Sequence, residues 1–315
     1  MVKYYILIYF LVFALTAKTQ QNTIIEGNIK SLYNEHASLT LYKYINIAEP
    51  FVSTQNLVDS NFKFKFTLTA PAYYTLSTNK HSFKLFLIEP GDSIHIDINV
   101  LQVEEIIFSG EGSDKANYQY WANIRYQDWN HQTSSITSDT GRHYFNYLDS
   151  CRGLQLYSLK NFKGLLTPTA YTVLYADVFY NFELLKSKYI ADELRDSTVV
   201  EQARLLYKLY LPLQKKFVLN DTLAYSPNLI NYLIQQNEAD YQYLHIKDRL
   251  DWAEKYRLAR RHTKGKIQER VLADLLIDKT ALITETNVLK CANDYLNGPY
   301  DPLFKELIRA KYQLK

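Results

Sequence analysis
Between residues 22 and 108 apolar positions recur at every second residue, and beyond Gly112 they recur at every third or fourth. The clearest alternation is 61–68. Phe62, Phe64, Phe66 and Leu68 share one side, and Lys63, Lys65 and Thr67 share the other. That period predicts a half-buried strand. Ile94, Ile96 and Ile98 repeat the pattern opposite Ser93, His95 and Asp97. Two such runs meet across Pro90-Gly91-Asp92, and the stretch Phe86 to Ile98 is the centre of this half of the chain. In all, about eight strands are predicted, over 24–29, 38–44, 51–58, 61–68, 73–77, 83–88, 93–98 and 105–108. Short strands at this spacing, with turn residues between them, predict an antiparallel β-sandwich.

The second half changes rhythm. Ser113-Asp114 is a capping signal ahead of Tyr118, Trp121 and Ile124. Tyr144, Leu148, Cys151 and Leu154 form the next stripe. Thr167-Pro168 pairs a capping hydroxyl with proline at the first helical position. Behind it run Tyr171, Leu174, Tyr175, Val178, Phe182 and Leu185. Ser226-Pro227 and Asp301-Pro302 repeat that start signal, and Asn297-Gly298-Pro299 is a stop. Further helices are predicted over 199–211, 249–262, 266–279 and 287–296. Tetratricopeptide spacing is not present. The expected fold class is α+β and multidomain. An N-terminal antiparallel β-sandwich (21–112) is followed by an all-α helical bundle or helical-hairpin array (113–315).

Residues 1–20 read as a signal peptide. Lys3 supplies a positive start, the run to Ala17 is apolar apart from Thr16, and small residues precede an expected cut near Ala17 or Gln20. No cysteine follows the run, so a lipid-modified N-terminus is not expected. The mature chain is expected in the periplasm or outside the cell, with no integral membrane segment after cleavage.

Composition adds little to this. A formal charge of +3 over 315 residues gives no reason to expect nucleic acid. The 28 tyrosines suit half-buried packing and also partner surfaces. Cys151 and Cys291 are too distant for a C-x-x-C or a metal knuckle. An oxidising compartment permits a disulfide between them, and two buried thiols are the alternative.

Candidate chemistry is sparse. No histidine sits in H-E-x-x-H, and there is no G-x-S-x-G elbow. His95 and Asp97 share an outward strand face, without a third ligand nearby. Gly110-Glu111-Gly112 lacks the strand–loop–helix context of a phosphate loop and reads as an interdomain hinge. A basic run, Arg257, Arg260, Arg261, Lys264 and Lys266, is a candidate anion or partner patch. It also suits the solvated end of a helix. Trp121 and Trp129 are candidate platforms for a sugar ring, although their helical positions favour core or domain-interface packing. No catalytic residue, cofactor or metal is assigned.

Four segments carry a resemblance: Ile25-Glu-Gly-Asn-Ile29, Val58-Asp-Ser-Asn-Phe-Lys-Phe64, Ile88-Glu-Pro-Gly-Asp-Ser-Ile94 and Ser109-Gly-Glu-Gly-Ser113. With the closing Asp301-Pro-Leu-Phe-Lys-Glu-Leu-Ile-Arg309 they resemble the N-terminal region of TlpA-like thiol–disulfide oxidoreductases, exported proteins of Bacteroidetes-type bacteria. That family's chemistry resides in a W-C-x-x-C motif on a thioredoxin domain. No such motif stands in this chain, so no catalytic residue carries over. The expected function is an exported cell-envelope binding or scaffold module. The alternatives are a part or accessory partner of such an oxidoreductase, and a glycan-associated protein. An envelope protein or a thioredoxin-like protein is the implied partner.

Overall fold
A computed structural model describes residues 22–30, 38–43, 51–56, 60–77, 82–99, 105–122, 141–195, 199–210, 219–245, 250–278 and 286–314. The proposed signal peptide and Trp129 lie outside the described residues. Eight strands come first: β1 (Asn22–Lys30), β2 (Ser38–Lys43), β3 (Phe51–Asn56), β4 (Asn61–Thr67), β5 (Ala72–Ser77), β6 (Ser82–Ile88), β7 (Ser93–Asn99) and β8 (Glu105–Glu111). A helical run over 113–122 follows and is here α1. Then come α2 (Gly141–Phe162), α3 (Pro168–Arg195), α4 (Val200–Tyr210), α5 (Pro227–Leu244), α6 (Trp252–His262), α7 (Gly265–Ile277), α8 (Thr286–Asn297) and α9 (Pro302–Tyr312).

The expected fold class is not what the chain forms. Helices hold more of the described residues than strands do, and the strands make two small sheets with no closed barrel. Nor is the strand pairing antiparallel throughout. The first sheet has the order β4-β1-β7-β8, and its central pair, β1 with β7, is parallel. The second has the order β3-β2-β5-β6. β1 enters between two strands that come much later in sequence, so local hairpin signals around Asp59-Ser60 and Pro90-Gly91 carry no information about that parallel pair.

Nor do the sheets stand apart from the helices. On one face of the second sheet, Tyr74, Leu76, Phe86 and Ile88 pack against Ile25, Phe64, Ile94 and Ile96 of the first. On its other face, Tyr73 and Leu87 are buried with Tyr118, Leu148, Cys151, Leu174 and Phe182 of the helices. The second sheet is therefore a middle layer. Its apolar runs, Tyr73-Tyr74 and Phe86-Leu87-Ile88, are continuous instead of alternating, as burial on both faces requires. Ala116 of α1 completes the core between the sheets.

The helical layer has its own core around α5 to α9, with Leu229, Val271, Leu272, Ala292, Tyr295 and Ile308 fully or almost fully buried. The long α3 links it to the sheets. Asp177 ties α3 to the start of α5. Its Oδ1 accepts from Ser226 Oγ at 2.5 Å and from the Asn228 backbone N–H at 3.3 Å. Burial pushes the Asp177 carboxyl up to about 7, against the opposing pull of those hydrogen bonds.

Both cysteines are free. Cys151 is buried in the cluster that joins the middle sheet to α2 and α3, whereas Cys291 packs at the margin of the α5–α9 core. The disulfide alternative is corrected accordingly, because the two thiols belong to different cores. Burial pushes both thiols above their ordinary pKa, which makes each a poor nucleophile.

Candidate functional site
Side chains of the short helix α1 do three jobs. Its start carries Lys115, whose Nζ donates to Glu89 Oε2 at 3.0 Å and to Asp92 Oδ1 at 2.9 Å. Both carboxylates come from the turn after β6, and Asp92 Oδ2 also accepts from the Glu89 backbone N–H at 2.7 Å. Thr167 completes the group. Its hydroxyl donates to Glu89 at 2.7 Å and accepts from the Ala170 N–H at 3.0 Å, capping α3. The Lys115 side chain is 4% exposed and every charge in the cluster is paired. Burial raises the Asp92 pKa, and Lys115 opposes the shift.

A second group of its side chains closes strand edges. The Leu87 N–H of β6 donates to Gln119 Oε1 at 2.7 Å. The Ile106 N–H of β8 donates to Tyr120 Oη at 3.3 Å, and Asn117 Nδ2 donates to the Phe108 carbonyl at 3.2 Å. β6 and β8 are each the last strand of a sheet, so one helix satisfies backbone groups on an edge of both.

A third group, Tyr118, Trp121 and Ala122, looks across to α2. Their spacing of three and four residues puts them on one side of the helix. With Leu154, Gln155 and Phe162 of α2 they line a groove of about 320 Å³. Trp121 is 57% exposed, so the expectation of core packing is corrected for this residue. Its ring is held by a chain of edge-to-face contacts running outward from the sheet core: Phe86 to Phe108 at 4.6 Å, Phe108 to Tyr120 at 5.9 Å, and Tyr120 to Trp121 at 5.9 Å. Tyr118 packs edge-on against Phe162 at 5.5 Å. Beneath lies Gln155, only 7% exposed. Its backbone carbonyl accepts from Tyr118 Oη at 3.4 Å. Among the described residues its carboxamide has no hydrogen-bond partner.

The other residues singled out by sequence fall elsewhere. Gly110 and Gly112 have φ of +91° and +87°, and a Cβ on Gly112 would lie 2.2 Å from Asp92 Oδ1. Glycine is needed there so that backbone can approach the buried carboxylate. The pair is pinned beside the Lys115 cluster, which does not suit the expected hinge. A cleft of about 790 Å³ opens over this place, bordered by Asn22, Pro90, Glu111, Asp114 and Leu166.

The basic run is divided. Arg260 is paired with Asp294, Arg257 is 2.8 Å from Glu254 Oε2, and the Lys266 backbone N–H donates to Asp221 Oδ1 at 3.1 Å. Arg261 and Lys264 are exposed at the end of α6. The run does not converge on one anion site. His95 Nε2 and Asp97 Oδ1 are 3.3 Å apart on an outward face. A further charged group, Arg152, Asp149, Glu183 and Lys186, joins α2 to α3, with Lys186 Nζ 3.2 Å from Glu183 Oε1.

Among the described residues no group of three His, Cys, Asp or Glu side chains is placed to hold a metal ion. Among the same residues no helix is long and apolar enough to cross a membrane. No family model matches the chain, and no curated protein matches it.

Proposed function
We propose that the chain is a non-catalytic binding module of the cell envelope, and that its contact surface is the groove between α1 and α2. The observation that carries this is Trp121: a large aromatic ring left 57% exposed over a concavity, yet held by a ladder of rings rooted in the core. Rigid exposed aromatics bind at low entropic cost. Leu154, 61% exposed on the facing helix, enlarges the same surface. The buried ionic clusters offer no comparable reading, because their charges satisfy one another. The free thiols, pushed up by burial, do not favour thiol–disulfide exchange by this chain itself.

The test is capture. Immobilised protein is exposed to an envelope extract separated into protein and small-molecule fractions, with Trp121→Asp as the control. A species retained by the native protein and lost with the variant is the expected result. Identical retention by both overturns the assignment of the groove. Export belongs to the same proposal and is supported by the apolar run up to Ala17. Mass spectrometry of the mature N-terminus is expected to find a start just after Ala17 or Gln20, and an intact Met1 in the envelope fraction would refute cleavage.

A further inference from the structure
The outward side of α2 differs from that of an ordinary surface helix. Asn146, Ser150, Gly153, Tyr157 and Asn161 are all exposed, and their spacing of three and four residues lines them up on one face of this 22-residue helix. The face turned to water normally carries charged as well as polar residues, and these five positions carry no charge. Tyr157 is 68% exposed, and Leu154, three residues before it, is 61% exposed. Depletion of charge around an exposed aromatic is the composition of an interface core. A second observation is independent of that one. Gly153 sits inside the helix, where glycine costs stability relative to alanine. Among the described residues nothing lies within 4 Å of the place where its Cβ would stand, so the fold gains no closer packing from it. A bare backbone on an outward face admits a side chain of another helix.

We infer that the outward face of α2 docks a second copy of this chain, in an antiparallel pair that seats Tyr157 of each copy over Gly153 of the other. The inference goes beyond the groove reading and does not use Trp121. The occupant follows from the face carrying its own complement. Tyr157 and Gly153 are one turn apart, a ring that projects and a gap that receives it, so a two-fold axis between the helices uses both of them twice. Charge selects the same arrangement. Asp149 and Lys160, three turns apart, fall on one flank of the face. With Tyr157 over the other copy's glycine, antiparallel helices bring Lys160 of each copy beside Asp149 of the other. In-register parallel helices would set Lys160 against Lys160. Asp149 has room for the contact: Arg152 at 2.6 Å and Lys186 at 2.5 Å both meet its Oδ1, and its side chain is still 35% exposed. Lys160 is exposed. One helix from each copy makes an interface at the low end of size, below about 1,200 Å² in total, so a reversible dimer with a micromolar dissociation constant is expected.

The experiment is sedimentation velocity of the full mature chain between about 1 and 300 µM. A monomer that passes into a dimer across this range is expected. Tyr157→Asp is expected to weaken the dimer by about tenfold or more, and Lys160→Glu by about threefold. Gly153→Gln is expected to do two things at once. The unfolding midpoint of the dilute monomer rises, because glutamine is the better helix former, while self-association weakens. A glycine required by the monomer's own packing would lower the midpoint and leave the dimer alone. Orientation is read from an equal mixture of Ser150→Cys and Asn161→Cys under mild oxidation, which is expected to give the heterodisulfide in excess of both homodisulfides. Trp121→Asp is expected to leave the dimer intact. A monomer at every concentration overturns the inference, as does a dimer that survives both Tyr157→Asp and Gly153→Gln, or one in which the homodisulfides prevail. An envelope protein retained by such a monomer, and lost with Tyr157→Asp, would assign the face to a foreign partner instead. A dimer abolished by Trp121→Asp and kept with Tyr157→Asp would put self-association in the groove, so that this inference falls and the groove reading stands.

Discussion
Two concavities flank the same helix, and they treat polar groups in opposite ways. At the start of α1, Lys115, Glu89, Asp92 and Thr167 exchange hydrogen bonds until every buried charge has a partner. Across α1, the groove is open: the Gln155 amide keeps contact with solvent and the Trp121 ring is 57% exposed. The first arrangement joins the turn after β6 to α1 and α3. The second leaves its polar and aromatic groups facing solvent. The contrast teaches that charge density is a weak guide to a binding site, and that a rigid exposed ring over a concave place is a better one.

The largest effect is expected at the satisfied cluster. Lys115→Met leaves two carboxylates buried without their cation, and urea unfolding should show a loss of about 3–5 kcal/mol. A loss below about 1 kcal/mol would break the comparison, since the cluster would then be no more structural than the groove.

Asp177 is an intermediate case, hydrogen-bonded but without a countercharge among the described residues. Its folded pKa of about 7 lies above the unfolded value of about 3.9, so the protonated form favours the fold. That contribution is complete below about pH 4 and is lost as the pH rises towards 7. Each pH unit crossed between the two values removes roughly 1.4 kcal/mol. Asp177→Asn should flatten this part of the stability profile. Glu183 and Asp274 are also raised by burial, so the difference between variant and native protein is the relevant quantity. Parallel profiles would refute the role given to Asp177.

Gly112→Ala places a methyl group against Asp92 Oδ1 at a φ of +87°. A cost of about 1–3 kcal/mol is expected, read from the shift in unfolding midpoint. Smallest of all should be Gln155→Leu, within about 0.5 kcal/mol of the native protein, because no hydrogen bond of that side chain within the described residues is lost. A large destabilisation there would mean that the amide is structural after all.

Sequence patterns show where most elements lie and little of how they associate. Caps at Thr167-Pro168, Ser226-Pro227 and Asp301-Pro302 mark helix starts because capping is a local interaction. Alternation in 61–68 marks β4 for the same reason. The parallel union of β1 with β7 joins residues about seventy positions apart and leaves no local trace. The doubly buried middle sheet does carry a signal, the unbroken apolar runs at Tyr73-Tyr74 and Phe86–Ile88, but an expectation of alternating strands hides it. Trp121 is legible as an aromatic on a helix, and its exposure is not, because the facing wall comes from α2. Gln155 carries no sequence signal, since an amide on a helix is ordinary until its surroundings are known. The basic run is divided because Asp294 and Glu254, distant or unremarkable in sequence, pair with Arg260 and Arg257.

The edge contacts of α1 have a consequence for biosynthesis. A nascent polypeptide that has emerged only as far as Gly112 holds the strands of both sheets but not Asn117, Gln119 or Tyr120. In that interval β6 and β8 present bare margins to any neighbouring chain. Translation as far as Ala122 brings out the segment that covers these two margins, which shortens the interval in which they are open to another chain.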